Sequence, residues 1–227
     1  MTFLSTLYQK LMKRKIIKYI TLTTIAVNWF TFFLSYIIVR FFGNPMYSPL
    51  YHLISHMASA EFTPAPFLFD IGCILTGILS FPISLYIFNN LKEKTNEEFK
   101  EESPKSFKFV MYLILISGIL GDIGFIGIGL YSIDRNYWNI HFIFAGFLFV
   151  GYYLSAFLVG ILVLFSKIKI NKHIGFYGLI SSTVLFLILA IFSFFNMEIV
   201  IFEWISALML YVWLYLFLFA ILKKENY

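Results

Sequence analysis

Charge is the scarcest property of this chain: 13% of its 227 residues are Asp, Glu, Lys or Arg, against 60% hydrophobic and 21% aromatic residues. That balance excludes an ordinary soluble domain, in which about 25% of residues are charged. Cysteine is nearly absent too. Cys73 stands alone inside an apolar run, so no intrachain disulfide can form and the redox compartment stays open. GxSxG, P-loop, dinucleotide-binding and HExxH patterns are all missing, so no motif assigns a reaction. Apart from one run of spaced glycines there is no internal repeat, and there is no low-complexity segment. The short apolar core and small-residue cleavage site of a secretory signal are also lacking. Lys10, Lys13, Arg14, Lys15 and Lys18 lead instead into a longer apolar run, which predicts a retained first span.

What the chain does have is six apolar runs, at about 16–42, 67–89, 107–131, 138–165, 174–196 and 199–222. Each is close to or above the roughly 20 residues a helix needs to cross a bilayer. The expectation is an all-α polytopic membrane protein, a single domain over 1–227 folded as a six-transmembrane-helix bundle. Pro82 is expected to kink the second span. The segment LKEKTNEEFKEESPKSFK is the one strongly hydrophilic stretch, and it reads as a solvated loop.

In a six-span arrangement, all 17 lysines and arginines except Arg40 and Arg135 fall on the side that holds both termini. That asymmetry predicts cytoplasmic N- and C-termini. The basic balance then describes an inner face near anionic lipid, and nucleic-acid binding is not implied.

The connection 43–70, GNPMYSPLYHLISHMASAEFTPAPFLFD, is the one long segment that carries histidines, prolines, a carboxylate and tyrosines together. Ser48-Pro49 reads as an N-cap and first helical residue, predicting a short helix over 49–60 that sets His52 and His56 on one face. Two imidazoles so placed can share a metal ion, and His141 would be the third ligand. The blander reading, preferred here, is that they are interfacial residues bonded to backbone, water or headgroups. A metal ion is the one cofactor these residues admit. Prolines 64 and 66 end any helix and start the second span, with Asp70 in its first turns, where a carboxylate answers the helix dipole.

In the third span Gly118, Gly121, Gly124 and Gly127 recur every three residues, a small-residue flank along which another helix backbone can approach closely. Asp122 lies within that stripe. A carboxylate in the hydrocarbon region costs about 2.5–3.5 kcal/mol on insertion scales, so it must face the bundle interior. The predicted topology sends His52, Ser55, His56, Glu61, Asp70, Asp122, Asp134, His141 and Glu203 to the outer half. A polar pocket opening outward between the helices is the expected arrangement, with Asp134, Arg135 and Glu198 as its solvated rim. Asp122 and His141 differ in depth by about 9–14 Å at 1.5 Å per residue. Asp70, Glu203 or a water chain is therefore expected to bridge them.

The order of features ISHMASAEFTPAPFLFDIGCILTGIL followed by GDIGFIGIGLYSIDRNYWNIHFIFAGFLF resembles the prokaryotic six-span family called domain of unknown function 998. That family is similar to the damage-regulated autophagy modulators and the GPI lipid-remodelling proteins. The resemblance covers spans two to four with their outer loops, about half of the chain. It gives weight to Ser55, Asp70, Gly129, Asp134 and His141. The Ser-Asp-Leu-Gly type of sequence common in the outer loop is here Ser55-His56-Met57-Ala58, without the aspartate and glycine. The resemblance implies a prokaryotic plasma membrane and, loosely, the handling of membrane lipids.

Three functions follow as expectations. The leading one is a pocket that binds or modifies a lipid headgroup. The second is a metal-dependent membrane hydrolase using His52, His56 and His141. The third is an accessory subunit packing against other membrane subunits.

Overall fold

The computed structural model describes residues 3–99, 104–166, 168–195 and 200–223. Glu198 and part of the hydrophilic segment lie outside these. Seven α-helices and no strand occur among the described residues. A short helix α1 (Phe3–Leu11) precedes six long ones: α2 (Arg14–Phe42), α3 (Phe67–Phe99), α4 (Lys105–Leu130), α5 (Ile140–Phe165), α6 (Lys172–Phe195) and α7 (Val200–Leu222). All six long helices are long and apolar enough to cross a membrane. The protein is an integral membrane protein with an all-α six-span bundle.

The spans begin and end close to the expected residues, with one correction. α3 runs on to Phe99, through most of the stretch expected to be a loop. Leu, Lys and Glu in LKEKTNEEF are strong helix formers, and the next proline is Pro104, so nothing stops the helix at the end of its apolar part. Pro82 sits inside α3, which continues through it.

Consecutive spans pack as neighbours, α2 on α3, α3 on α4, α4 on α5 and α5 on α6. α7 closes the bundle against α5, α6 and α2. The Arg14 guanidinium donates to the carbonyl of Leu222 at 2.5 and 3.2 Å, joining the start of α2 to the end of α7. The start of α2 and the end of α7 therefore lie at one end of the bundle. Two apolar clusters fill the interior. One, toward the termini, is built on Leu91, Met111, Val159, Leu162 and Phe217. The other, toward the 43–66 connection, is built on Tyr47, Met57, Tyr153, Trp204 and Leu210.

The glycine stripe meets its neighbours as the spacing predicts. A Cβ at Gly121 would lie 2.8 Å from ring carbons of Tyr152, and one at Gly151 would lie 2.7 Å from the carbonyl oxygen of Ser117. The α4–α5 contact is thus a close approach that only small residues allow. At Gly118 the neighbour is different. A Cβ there would sit 3.1 Å from the Ser84 hydroxyl of α3.

Candidate functional site

The 43–66 connection folds as a compact plug over one end of the bundle. The expected helix over 49–60 does not form, and only Ile54–Ala58 takes a 3-10 turn. The reason is visible in the hydrogen bonds. His52 Nδ1 accepts from the amide of Ser48 (3.2 Å), and the Leu53 and His52 carbonyls accept from Tyr47 OH (2.7 Å) and Trp204 Nε1 (2.8 Å). These side-chain and tertiary bonds compete with a regular helical ladder. Tyr47 and Met57 are fully buried. Burial, with Glu203 and Tyr36 nearby, pushes the Tyr47 phenol far above its ordinary range, so it stays a neutral donor.

Two carboxylates distant in sequence tie the plug down. Glu203, in the first turn of α7, accepts from the amide of Ile54 at 2.8 Å, capping the 3-10 turn from outside it. Asp134, in the α4–α5 connection, accepts from the amide of Ala60 at 2.7 Å. Asp134 is therefore an anchor of the plug, where the sequence suggested a solvated rim.

Asp70 and Arg135 form a third fastening. Arg135 donates to the Asp70 carboxylate at 2.7 Å and to the carbonyls of Gly129 and Leu130, each at 3.0 Å. One guanidinium thus neutralises a carboxylate in the first turn of α3 and the free carbonyls at the end of α4. Both placements agree with the helix dipoles. In the same turn Trp138 and Asn139 take left-handed backbone conformations, φ 50° and 60°. The Asn136 side chain accepts from the amide of His141 at 3.0 Å, and this sets His141 into the first turn of α5.

The nine expected pocket residues are not brought together. Glu61 is exposed. His52 and His56 belong to an aromatic stack, with the His56 ring 4.6 Å from Phe62 and parallel to it within 2°. Burial and His52 hold the His56 imidazole below its ordinary value, with Glu61 opposing. Among the described residues no group of three or more His, Cys, Asp or Glu side chains is placed to hold a metal ion. The expected set of His52, His56 and His141 is therefore not assembled among the described residues, and His141 Nδ1 is held by the Tyr131 carbonyl at 2.7 Å.

Two cavities lie one above the other in the bundle axis, between α2, α3, α4, α5 and α7. The first, about 50 Å³, lies under the plug. It gathers Ser55, His141 and Glu203 of the expected set, with Asn28, Thr31 and Cys73, among walls that include Phe32, Phe69, Phe125 and Phe149. The second, about 40 Å³, holds Asp122. Asn28, Phe125 and Tyr211 line both and stand between them. Asp122 is fully buried, and its two oxygens accept from Tyr152 OH (2.6 Å) and Ser84 Oγ (2.8 Å). The expected bridge from Asp122 to His141 through Asp70 or Glu203 is replaced by these two hydroxyls. Asp70 is engaged by Arg135 and Glu203 by the plug.

Sequence reasoning missed Arg135 as an anchor, and Ser84 and Tyr152 as partners of Asp122. The glycines carried a signal for the last two: the small residues beside Asp122, Gly118 and Gly121, are the ones that make room for Ser84 and Tyr152.

No protein-family model, curated protein or solved structure matches this chain.

Proposed function

We propose that the chain binds the polar head of an outer-leaflet lipid in the cavity beneath the 43–66 plug, with both termini cytoplasmic. The observation that carries this reading is the cavity's lining: a mostly aromatic and aliphatic wall with Glu203, His141 and Ser55 at its plug end. An apolar pocket with a few placed polar groups is the usual form of a small-molecule site. The tyrosine carbonyl that holds His141 Nδ1 can only accept, so Nδ1 carries the proton and Nε2 is left as an acceptor in the neutral ring. Glu203 also presents a carboxylate, and no lysine or arginine is among the described residues that line the cavity. Acceptors without a basic side chain suit a donor-bearing head, an amine or a polyol, better than a bare phosphate. The aromatic walls favour an ammonium in the same way. The resemblance to the six-span family called domain of unknown function 998 loosely implies lipid handling and points in the same direction.

The orientation rests on the lysine and arginine asymmetry of the sequence, in which a six-span topology assigns all but Arg40 and Arg135 to the side of the termini. Reporter tags at residue 1, within 92–105 and at residue 227 should all read cytoplasmic. For the cavity itself, native mass spectrometry of the purified chain should find a retained lipid. Ala207→Trp, which fills the cavity from α7, should lose it. Equal lipid retention by both proteins would count against the reading.

A further inference from the structure

The second cavity carries a separate problem of charge. Asp122 is fully buried in the middle of a membrane span, and no lysine, arginine or histidine is among the described residues that line its cavity. A carboxylate in the hydrocarbon region requires a proton or a counter-charge. Both of its oxygens already accept from hydroxyls, Tyr152 OH and Ser84 Oγ, which is the acceptor-only arrangement of an ionised carboxylate.

A second observation points to what supplies the charge. Thr21 and Thr76 line the same cavity from α2 and α3, are 1% and 3% exposed, and their hydroxyl oxygens have no hydrogen-bond partner among the described residues. Buried hydroxyls left unpaired are costly and call for an explanation. Threonine in a helix usually donates to the carbonyl four residues earlier. Thr24 and Thr31, on the same helix as Thr21, do so at 2.8 Å. Thr21 and Thr76 keep their oxygens for something else.

We propose that this cavity is a site for a monovalent cation of sodium size, held by the Asp122 carboxylate and the hydroxyl oxygens of Thr21 and Thr76. The ligand set is oxygen alone, with no imidazole or thiol, which selects a hard cation over a transition metal. One carboxylate balances one positive charge, so a divalent ion would leave an excess charge in the membrane. A volume of about 40 Å³ holds one small ion with a water or two, since a water needs about 10–15 Å³ on this measure. Ser84 and Tyr152 position the carboxylate by bonding its two oxygens. The site does not depend on what occupies the cavity beneath the plug.

The test is thermal unfolding of the purified chain in detergent, titrated with NaCl or with choline chloride at matched ionic strength. The midpoint should rise and saturate with sodium, and choline should not reproduce the rise. Asp122→Asn should abolish the sodium effect. Thr76→Val, which keeps the side-chain shape, should require about tenfold more sodium. Equilibrium dialysis of the unmodified chain against radioactive sodium should show saturable binding of one ion per chain, and this needs no variant to fold. Identical midpoints in the two salts, a sodium effect undiminished in both variants, or no saturable sodium binding would each overturn the proposal.

Discussion

Glu203, in the first turn of α7, accepts a hydrogen bond at 2.8 Å from the backbone amide of Ile54, a residue 149 positions earlier in the chain. The last helix of the bundle thereby holds the plug that follows the first span, and the residue that does so also lines the cavity below. Glu203→Ala would leave the Ile54 amide without its acceptor. We expect a loss of about 1.5–3 kcal/mol, the range for hydrogen bonds to charged groups. Proteolysis within 43–66 should become faster, with the six spans intact. An unchanged cleavage rate would mean that the plug is held elsewhere.

Asp70 and Arg135 should behave as a coupled pair. Asp70 is 8% exposed and Arg135 about half exposed, so solvent weakens the attraction but does not remove the need to pair the buried carboxylate. Arg135→Ala should cost about 1.5–3 kcal/mol. In a double-mutant cycle, Asp70→Asn should recover part of that loss. Strict additivity in thermal or denaturant unfolding would contradict the pairing.

The α4–α5 contact gives a matched comparison of two glycines. Gly121→Leu drives a side chain into the Tyr152 ring and should destabilise the chain by about 1–3 kcal/mol. Gly146→Leu, with no neighbouring atom within 4 Å of its added Cβ, should leave stability nearly unchanged. Equal effects on the detergent unfolding midpoint would mean that α4 and α5 do not approach as described.

His56 makes the plug sensitive to acid. Its imidazole is held below 6.5 in the folded chain by burial and by His52, so the unfolded chain binds more protons once pH falls through 6.5. Stability from the neutral ring is present above that value and is lost as pH drops toward the folded value. Unfolding midpoints compared between pH 7.5 and pH 5 should fall more steeply for the unmodified chain than for His56→Phe, which keeps the stack on Phe62. Parallel pH profiles would exclude His56 as the cause.

The six spans were legible because length and apolarity alone set them, as the agreement of 107–131 with Lys105–Leu130 shows. The stripe of Gly118, Gly121, Gly124 and Gly127 was legible as a packing surface for the same reason, since spacing on a helix is local information. The extension of α3 to Phe99 was missed because polarity was taken for loop, whereas Lys and Glu favour helix in water. The plug was misread as a helix because the partners that shape it, Trp204, Glu203 and Asp134, are distant in sequence. Asp122 was recognised as buried, but Ser84 and Tyr152 are common residues whose role exists only once three helices meet.

An experimental density map of the chain in lipid nanodiscs tests the central claim most directly. The account predicts a lipid headgroup beneath the 43–66 plug, within hydrogen-bonding distance of Glu203 or His141 Nε2, with its acyl chains leaving between helices. A well-defined cavity there that contains only water, with ordered lipid confined to the outer surface of the bundle, would contradict it.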